Sequence, residues 1–529
     1  MMKHMLVAGL LACACLGQAQ KDSVAMQYAA TITKADLQKH LKIIASDEFE
    51  GRETGELGQK KAAKYIADYF RSLEIPPSID RGYYQVYPLK KESSLESKLM
   101  VGDQTFNFVD DFFFWLGFSG GDYSSDQIVF VGYGIDHENY SDYNALKNQD
   151  LTGKVVMLLD GDPYDSDGNS LITGKSKMSD WGNDWRKKRE VAQSKGAKAV
   201  MIVKPNYKAQ VGRVKYFLEN PGLTLDYPEK RGDAVIPAAF IAPEVADAVF
   251  AAGKFKSLEK IKKTIKKKGK SVTREMDVTV NLKVVRDAEE VKAENVLAFI
   301  EGTDPELKEE VVVITAHYDH VGVNKEGEVF NGADDDGSGT VTALELAEAF
   351  QKAKKEGNGT RRSILIMTVS GEEKGLLGSE WYSEFPIYPL ENTVANLNID
   401  MIGRTDKDHE DPNYIYLIGS DKLSTELHAI SEEANSVYTG LELDYTYNHP
   451  DDPNRFYYRS DHYNFARKGI PVIFYFSGVH EDYHKPGDDE EKIMYDKMVT
   501  IGHLIFHTAW QLANQDKRIE VDVENEFTD

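Results

Sequence analysis

VVVIT at 311–315 runs directly into AHYDH at 316–320. Such an unbroken β-branched run is typical of a strand buried on both faces of a sheet. Similar runs recur, separated by helical patterns: strands over 296–300, 364–369, 394–399, 414–418 and 472–476, and helices over about 340–353, 424–435 and 492–513. This alternation predicts an α/β fold with a mixed, largely parallel sheet covered by helices on both faces.

The upstream half of the chain has a different pattern. Residues 33–73 show helical periodicity on both sides of the turn Gly51-Arg52-Glu53-Thr54-Gly55, and short β-rich runs follow at 127–133, 155–159 and 199–203. A lysine-rich run at 254–270 is interpreted as a solvated helix face or linker. We therefore predict a main domain in two segments, 20–99 and 276–529, around an inserted β-rich domain at 100–275.

The composition excludes several classes of protein. The chain has 529 residues, 41% of them hydrophobic, and a formal net charge of −24, which repels phosphate backbones and argues against nucleic-acid binding. Both cysteines, Cys13 and Cys15, lie in the N-terminal segment, so the body of the chain has no thiolate for metal binding or catalysis. Beyond that segment no apolar run approaches the roughly 20 residues that span a bilayer.

The first 19 residues have the features of an export signal. Lys3 precedes an apolar run that ends near Leu16, and Gly17-Gln18-Ala19 supplies a small-x-small cleavage site. Cleavage after Ala19 would release a protein to the periplasm or the extracellular space. A lipoprotein processed at Cys13 is the alternative.

Side chains that can bind metal follow four of the predicted strands. The strands lead into the segments 316–320, 370–373, 400 and 480–484, and three aspartates at 334–336 begin a helix. Because the carboxyl ends of parallel strands meet at one edge of a sheet, these side chains are expected to converge there. Imidazoles and carboxylates without thiolates suit zinc or another borderline divalent ion. His320, at the end of the first of these segments, and His409, His449, His503 and His507 are not assigned to the site and are interpreted as structural.

The order of these segments resembles that of a known family, the M28 zinc-dependent peptidases of the co-catalytic aminopeptidase group. The resemblance rests on AHYDH316–320, GADDDGSG332–339, GEEKGLLGS371–379, NIDMIG398–403, SDHYNFARKGIPVIFY460–475 and DYHKPGD482–488. It implies a fold of the zinc-exopeptidase type. The insert at 100–275 is similar to a protease-associated (PA) domain.

The resemblance also implies a site with two zinc ions. His317 and Asp400 would hold one ion, Glu373 and His484 the other, and Asp335 would bridge them.

Three further residues have implied catalytic roles. Glu372 would be the general base, and Tyr483 would stabilise the oxyanion. Asp319, two residues after His317, could accept the second N–H of that imidazole and fix its tautomer.

The resulting expectation is an exported zinc aminopeptidase that uses a metal-bridged water to remove N-terminal residues from peptides with a free N-terminus. A carboxypeptidase of the same architecture stays open, because Arg455 and Arg459 could bind a substrate carboxylate. A glutaminyl cyclase and a non-catalytic binding protein that uses the PA domain stay open as well. The sequence carries no signal for an oligomeric state.

Overall fold

The computed structural model describes residues 21–78, 82–115, 118–228 and 235–525. The predicted export signal at 1–19 lies outside these residues. The chain forms two compact units, one made of residues up to Leu89 together with Val291 onward, the other of Lys90–Glu290. The limits expected for the insert were 100 and 275, and its assignment as a PA domain stays a prediction. Within the described part of the chain, no helix is long and apolar enough to cross a membrane.

A single mixed sheet lies at the centre of the first unit. Its strands are β1 (Tyr84–Ser93), β2 (Asp287–Ile300), β3 (Val311–His317), β4 (Ser363–Val369), β5 (Thr393–Ile399), β6 (Tyr414–Ile418), β7 (Glu442–Asp444) and β8 (Val472–Phe476). The unit's helices are α1 (Ser23–Ala29), α2 (Lys34–Ile44), α3 (Leu57–Ser72), α4 (Gly339–Lys355), α5 (Leu377–Glu384), α6 (Thr425–Ala434), α7 (His462–Ala466) and α8 (Tyr495–Asn514).

These strands lie in the order β1-β2-β4-β3-β5-β8-β6-β7. The central strand β3 pairs in parallel with β4 and β5, β5 pairs in parallel with β8, and β6 pairs in parallel with β7. Only the pairs β2–β4 and β6–β8 among those with a described register are antiparallel. The predicted mixed, largely parallel α/β fold is confirmed.

Strand β3 is hydrophobic from Val311 to Ile314 because this part contributes to two cores. Val312 and Ile314 pack with residues of α1 to α4, α6 and α8 on one face, whereas Val311 and Val313 pack with residues of α5 and α7 on the other. All four side chains are buried. Alternate residues therefore support helices on opposite faces of the sheet, as the unbroken β-branched run predicts.

The register of the parallel strands positions the site. His317 at the end of β3 lies opposite Val369 at the end of β4, and Ala316 lies opposite Ile399 at the end of β5. Because the three strands end at the same level, the segments that follow them begin side by side at one edge of the sheet.

The second unit has a six-stranded sheet of its own. Its strands follow the order Thr273–Met276, Ile128–Val131, Val155–Leu159, Ala199–Val203, Ala238–Ile241 and Phe112–Phe113. A four-stranded sheet contains Gln104–Asn107, Lys98–Val101, Val280–Val284 and Gly121–Asp122. The remaining elements are the short strands Asp136–His137, Tyr140–Ser141 and Leu223–Leu225 and the helices Asp180–Asn183, Trp185–Ser194, Tyr207–Glu219, Pro243–Ala252 and Leu258–Lys268.

The lysine-rich run forms the last of these helices. Leu258, Ile261 and Ile265 are buried along one face of Leu258–Lys268, and lysines occupy its final turn. Cations near a helix C-terminus interact favourably with the helix dipole. The run is thus a solvated helix face, which is one of the two interpretations that the sequence allowed.

Candidate metal centre

Asp335 lies between two groups of side chains. Its Oδ1 is 3.3 Å from Nε2 of His317, and its Oδ2 is 3.1 Å from Nε2 of His484. The side chain is buried, and Oδ2 accepts no hydrogen bond from any described residue. Each carboxylate oxygen therefore faces a different set of potential metal ligands.

The first group contains His317, Asp335 and Asp400, whose ligand atoms all lie within 4.8 Å of one another. His317 Nδ1 lies 3.1 Å from the carbonyl oxygen of Asp319, to which it can donate. In that tautomer Nε2, which is 3.5 Å from Asp400 Oδ1, would present its lone pair to a metal ion. The other oxygen of Asp400 accepts a hydrogen bond of 2.6 Å from Ser460 Oγ. One imidazole nitrogen and two carboxylate oxygens thus converge on one point.

The second group contains Glu373, His484 and a histidine that the sequence did not assign to the site. Glu373 Oε2 is 3.1 Å from His484 Nε2, and Glu373 Oε1 is 2.9 Å from Nδ1 of His320. Despite that short distance, neither Glu373 Oε1 nor His320 Nδ1 has a hydrogen-bond partner within the described residues. His320 therefore lies among the potential ligands. The sequence-based interpretation had placed this histidine outside the site.

The donor set fits divalent metal ions. Buried polar atoms are normally hydrogen-bonded, yet Asp335 Oδ2, Glu373 Oε1 and His320 Nδ1 lack such partners in the described part of the chain. Imidazole nitrogen and carboxylate oxygen are the usual ligands of zinc where thiolates are absent. Atoms of this kind that face one another without a shared hydrogen bond are arranged as the ligands of a cation would be.

The two aspartates that flank Asp335 have structural contacts. Asp336 accepts hydrogen bonds from the backbone N–H groups of His317, Gly339 and Met401, at 3.2, 2.9 and 3.0 Å. Asp334 accepts one of 2.5 Å from the backbone of Gly403. These bonds tie the loop at 332–338 to the ends of β3 and β5 and leave the middle aspartate for the metal centre.

This loop begins with a glycine that the geometry requires. Gly332 has φ of +53°, and a side-chain carbon there would lie 2.3 Å from the carbonyl oxygen of Asp335. Within the loop, the backbone N–H groups of Asp334 and Asp335 donate to the carboxylate of Asp488, each at 3.1 Å. Asp488 therefore holds the backbone of the central ligand in place.

The imidazoles determine which carboxylates are ionised. Burial raises the pKa of Asp335, but His320, His317 and His484 outweigh it and hold that pKa well below its usual value. Burial and Asp335 raise the pKa of Glu373, yet the same two imidazoles, His320 and His484, lower it overall. Both carboxyl groups are thus held in the charged form that binds a cation.

Glu372 has the opposite electrostatic environment. Burial raises its pKa well above the usual value, and Glu373 and Asp400 add to the effect against the opposing attraction of His317. The carboxyl group lines the same cavity as His317 and Asp400. The two adjacent glutamates therefore differ in proton affinity. Glu373 faces the imidazoles and is ionised, whereas Glu372 has a raised pKa and binds a proton strongly.

Asp319 contacts the site differently from the sequence-based expectation. Its carboxylate Oδ1 is 3.9 Å from His317 Nδ1, and the imidazole lies against the Asp319 carbonyl instead. The carboxylate accepts hydrogen bonds from the Glu372 backbone N–H at 3.3 Å and from Thr54 Oγ1 at 2.6 Å. Asp319 thus orients His317 through its main chain, while its side chain positions Glu372.

Tyr483 lies at the edge of the same cavity. Its ring stacks on the imidazole of His484, with ring centroids 4.0 Å apart. Burial raises the pKa of the Tyr483 hydroxyl, and the carboxylates of Asp335 and Glu373 raise it further. The hydroxyl therefore remains a hydrogen-bond donor beside the ligands.

Arg52 is fully buried and binds the backbone of the segments that carry the site. Arg52 donates to the carbonyl oxygens of Tyr318 at 2.8 Å, Ile44 at 2.9 Å, Asn331 at 2.6 Å and Gly332 at 2.8 Å. Burial lowers the pKa of its guanidinium, and the neighbouring carboxylates, Asp488 foremost, oppose that effect. Arg52 thereby ties the end of β3 to the loop that carries the central ligand and brings a positive charge to the anionic cluster.

The part of the chain that carries these side chains is similar to a known protein family. Residues 295–509 match the family model described as "Peptidase family M28". The chain contains a peptidase family M28 domain. All eight predicted site residues lie within this matched range.

Curated relatives match over a part of their length. A probable leucine aminopeptidase of Trichophyton verrucosum is 32% identical over 223 residues, which cover 40% of this chain and 56% of that protein. A probable zinc metalloprotease of Pyrenophora tritici-repentis is 29% identical over 270 residues, with coverages of 42% and 52%. Aminopeptidase YwaD of Bacillus subtilis is 25% identical over 260 residues, with coverages of 48% and 51%. The chain thus spans about half the length of these relatives.

Two solved structures align along most of the chain. An aminopeptidase from Aneurinibacillus sp. strain AM-1 aligns with a TM-score of 0.48 and 20% identity, covering 94% of this chain and 98% of that one. The zinc aminopeptidase BSAP from Bacillus subtilis aligns with a TM-score of 0.45 and 19% identity, covering 93% and 99%.

Replacing Arg52 tests its support of the metal centre. Arg52→Met removes four hydrogen bonds to carbonyl oxygens, three of them buried, so the free energy of unfolding should fall by about 3 kcal/mol or more. Zinc affinity should fall as well, because Asn331 and Gly332, which begin the loop of the central ligand, lose their contacts with Arg52. Chemical denaturation and zinc titration measure the two effects. Arg71→Met removes an exposed guanidinium from α3 and should cost less than about 1 kcal/mol; equal losses in both variants would contradict the assignment.

Proposed function

We propose that this protein is an exported zinc-dependent aminopeptidase that removes N-terminal residues from peptides. The observation that carries the proposal is the position of Asp335, whose two oxygens face separate histidine–carboxylate groups beside a glutamate of raised proton affinity. The names of the aminopeptidase and zinc metalloprotease relatives support it. Export rests on the signal-like pattern at 1–19.

The donor geometry supports two metal ions. His317 and Asp400 would hold one ion, Glu373 and His484 the other, and Asp335 would contribute one oxygen to each. Bound divalent ions supply Lewis acidity to the scissile carbonyl and acidify a water molecule. His320, which contacts Glu373 Oε1 at 2.9 Å, would orient that carboxylate or join it as a ligand.

Glu372 is the residue that moves the proton. Its pKa lies well above the usual value, which suits a carboxylate that takes a proton from the attacking water and returns it to the leaving amine. Asp319 keeps Glu372 in position by accepting a hydrogen bond from its backbone N–H. The protonated hydroxyl of Tyr483 is available to donate to the oxyanion.

The carboxylates that line the cavity favour the amino end of a peptide. Glu372, Asp400 and Asp335 all line it, and an α-ammonium group is attracted by the same carboxylates that repel an α-carboxylate. A carboxypeptidase is the second candidate, because Arg459 also lines the cavity. Arg455, the other arginine considered for a carboxylate clamp, is not among the lining residues in the described part of the chain.

Substrate end-groups distinguish these candidates. Leucine p-nitroanilide with a free amine should be hydrolysed by the zinc-loaded protein, and its N-acetylated form should not, because acetylation removes the cation that the carboxylates bind. An N-acetylated dipeptide with a free carboxylate is the reciprocal substrate. Release of p-nitroaniline and of free amino acid measures both; cleavage of the acetylated dipeptide alone would favour the carboxypeptidase.

Glu372→Gln should abolish most of the turnover. A neutral amide cannot accept the proton, so kcat should fall about 100- to 10,000-fold while zinc content stays unchanged. Glu384→Gln replaces a partly exposed glutamate of the next helix that pairs with Lys468, and it should leave kcat unaffected. Steady-state kinetics and elemental analysis are the measurements. Full turnover in Glu372→Gln would exclude the general-base role.

The bridging role of Asp335 predicts a specific pattern of metal loss. The wild-type protein should bind about two zinc ions per chain. Asp335→Asn should weaken both sites, whereas His317→Ala and His484→Ala should each weaken chiefly one. His449→Ala removes a histidine with a 67% exposed side chain and should retain the full content. Elemental analysis after dialysis checks this; one equivalent in the wild-type protein would argue against the bridged pair.

A further inference from the structure

The cavity beside the metal centre has a polar part and an apolar part. His317, Asp335, Glu372 and Asp400 line the polar part. The apolar part is lined by Met401, Phe456, Phe474, Phe476 and Val479. Phe456, Phe474 and Phe476 are nearly buried and pack in contact, with centroid distances from Phe476 of 4.9 and 5.1 Å. Phe474 and Phe476 belong to β8, so this aromatic wall is part of the sheet.

Arg459 adds a permanent positive charge to this apolar part. It is the one arginine or lysine that lines the cavity within the described chain. Its guanidinium lies over the ring of Phe456, with Cζ 4.8 Å from the centroid, and it forms no ion pair with any described residue. A charge held against an aromatic ring, without a carboxylate partner, remains available to act on whatever enters the cavity.

The first side chain of a substrate would occupy this apolar part. Under the proposed function, the α-amine and the scissile carbonyl lie at the carboxylates and metal ligands of the polar part. The remaining lining is aromatic and aliphatic, so it buries a side chain favourably. A first residue that carries its own charge must then place that charge close to the guanidinium of Arg459.

We propose that Arg459 is a specificity-determining residue that admits uncharged and acidic first residues and excludes lysine and arginine. A lysine ammonium would meet a like charge at short range. Because Arg459 is exposed, solvent and salt screen this repulsion only in part. A glutamate carboxylate would gain a charge-assisted hydrogen bond from the same group. The inference rests on the proposed aminopeptidase function and adds its substrate class.

The test compares p-nitroanilides that differ in charge rather than size. Glutamate against glutamine and lysine against methionine form the pairs, and kcat/KM is measured for each with the zinc-loaded protein. In Arg459→Gln the lysine/methionine ratio should rise about tenfold and the glutamate/glutamine ratio should fall about tenfold, as expected for one partly screened charge. Both shifts should shrink at high salt.

Arg455→Gln is the matched control. Arg455 belongs to the same loop and lies over the ring of Tyr458 at 4.5 Å, but it does not line the cavity. Its substitution should leave both ratios within twofold of the wild-type values. Unchanged ratios in Arg459→Gln, or equal shifts in both variants, would overturn the proposal.

A binding experiment separates this inference from the proposed function. Calorimetric titration of the zinc-loaded protein with free methionine and free lysine reports on the cavity without turnover. The wild-type protein should bind methionine more tightly, and Arg459→Gln should narrow the difference about tenfold. If no anilide is cleaved but this narrowing occurs, the aminopeptidase function is wrong and the role of Arg459 is supported. If the anilides are cleaved but Arg459→Gln changes neither their kcat/KM ratios nor the difference in affinity between methionine and lysine, only the role of Arg459 is overturned.

Discussion

The structure of this site depends on burying several carboxylates within one crevice. Asp319, Asp335, Asp336, Asp400 and Glu373 are all little exposed, and like charges at this density repel strongly unless cations or donors compensate them. The protein uses three kinds of compensation. Asp336 is surrounded by backbone N–H groups, Asp335 and Glu373 face imidazoles, and Arg52 supplies a buried positive charge nearby.

This division separates structural carboxylates from potential ligands. Burial raises the pKa of Asp336 well above its usual value and also raises that of Asp319, whereas the pKa of Asp335 and that of Glu373 are lowered. A carboxylate surrounded by N–H donors has few lone pairs left for a metal. A carboxylate that faces imidazole nitrogens can bind the same metal ion as those nitrogens. Of the three consecutive aspartates, Asp334 and Asp336 thus accept hydrogen bonds from the backbone, whereas Asp335 faces the imidazoles, although all three have the same side chain.

The sequence predicted the parts of this site that depend on strand ends. Val311–Thr315 and its counterparts are recognisable as buried strands, and parallel strands bring His317, Glu373 and Asp400 to one edge of the sheet. The position of Arg52 was not predictable, because an arginine in a polar turn normally lies in solvent and only the assembled fold buries it. His320 was missed for a related reason. Its direction depends on the turn after β3, which no periodicity describes, although its place within AHYDH316–320 was an available signal.

The charge balance of the proposed two-ion site connects the metal ligands with substrate selection. Two divalent ions exceed the charge of the ligand carboxylates Asp335, Glu373 and Asp400 by one, and an ionised Glu372 cancels that excess. The polar part of the cavity would then be nearly neutral overall, so the α-ammonium group is attracted by individual carboxylates rather than by a large net field. The electrostatic interaction of a charged first side chain with Arg459 is consequently not outweighed by a net charge of the metal centre. One unpaired guanidinium is therefore sufficient to bias which residues the apolar part accepts.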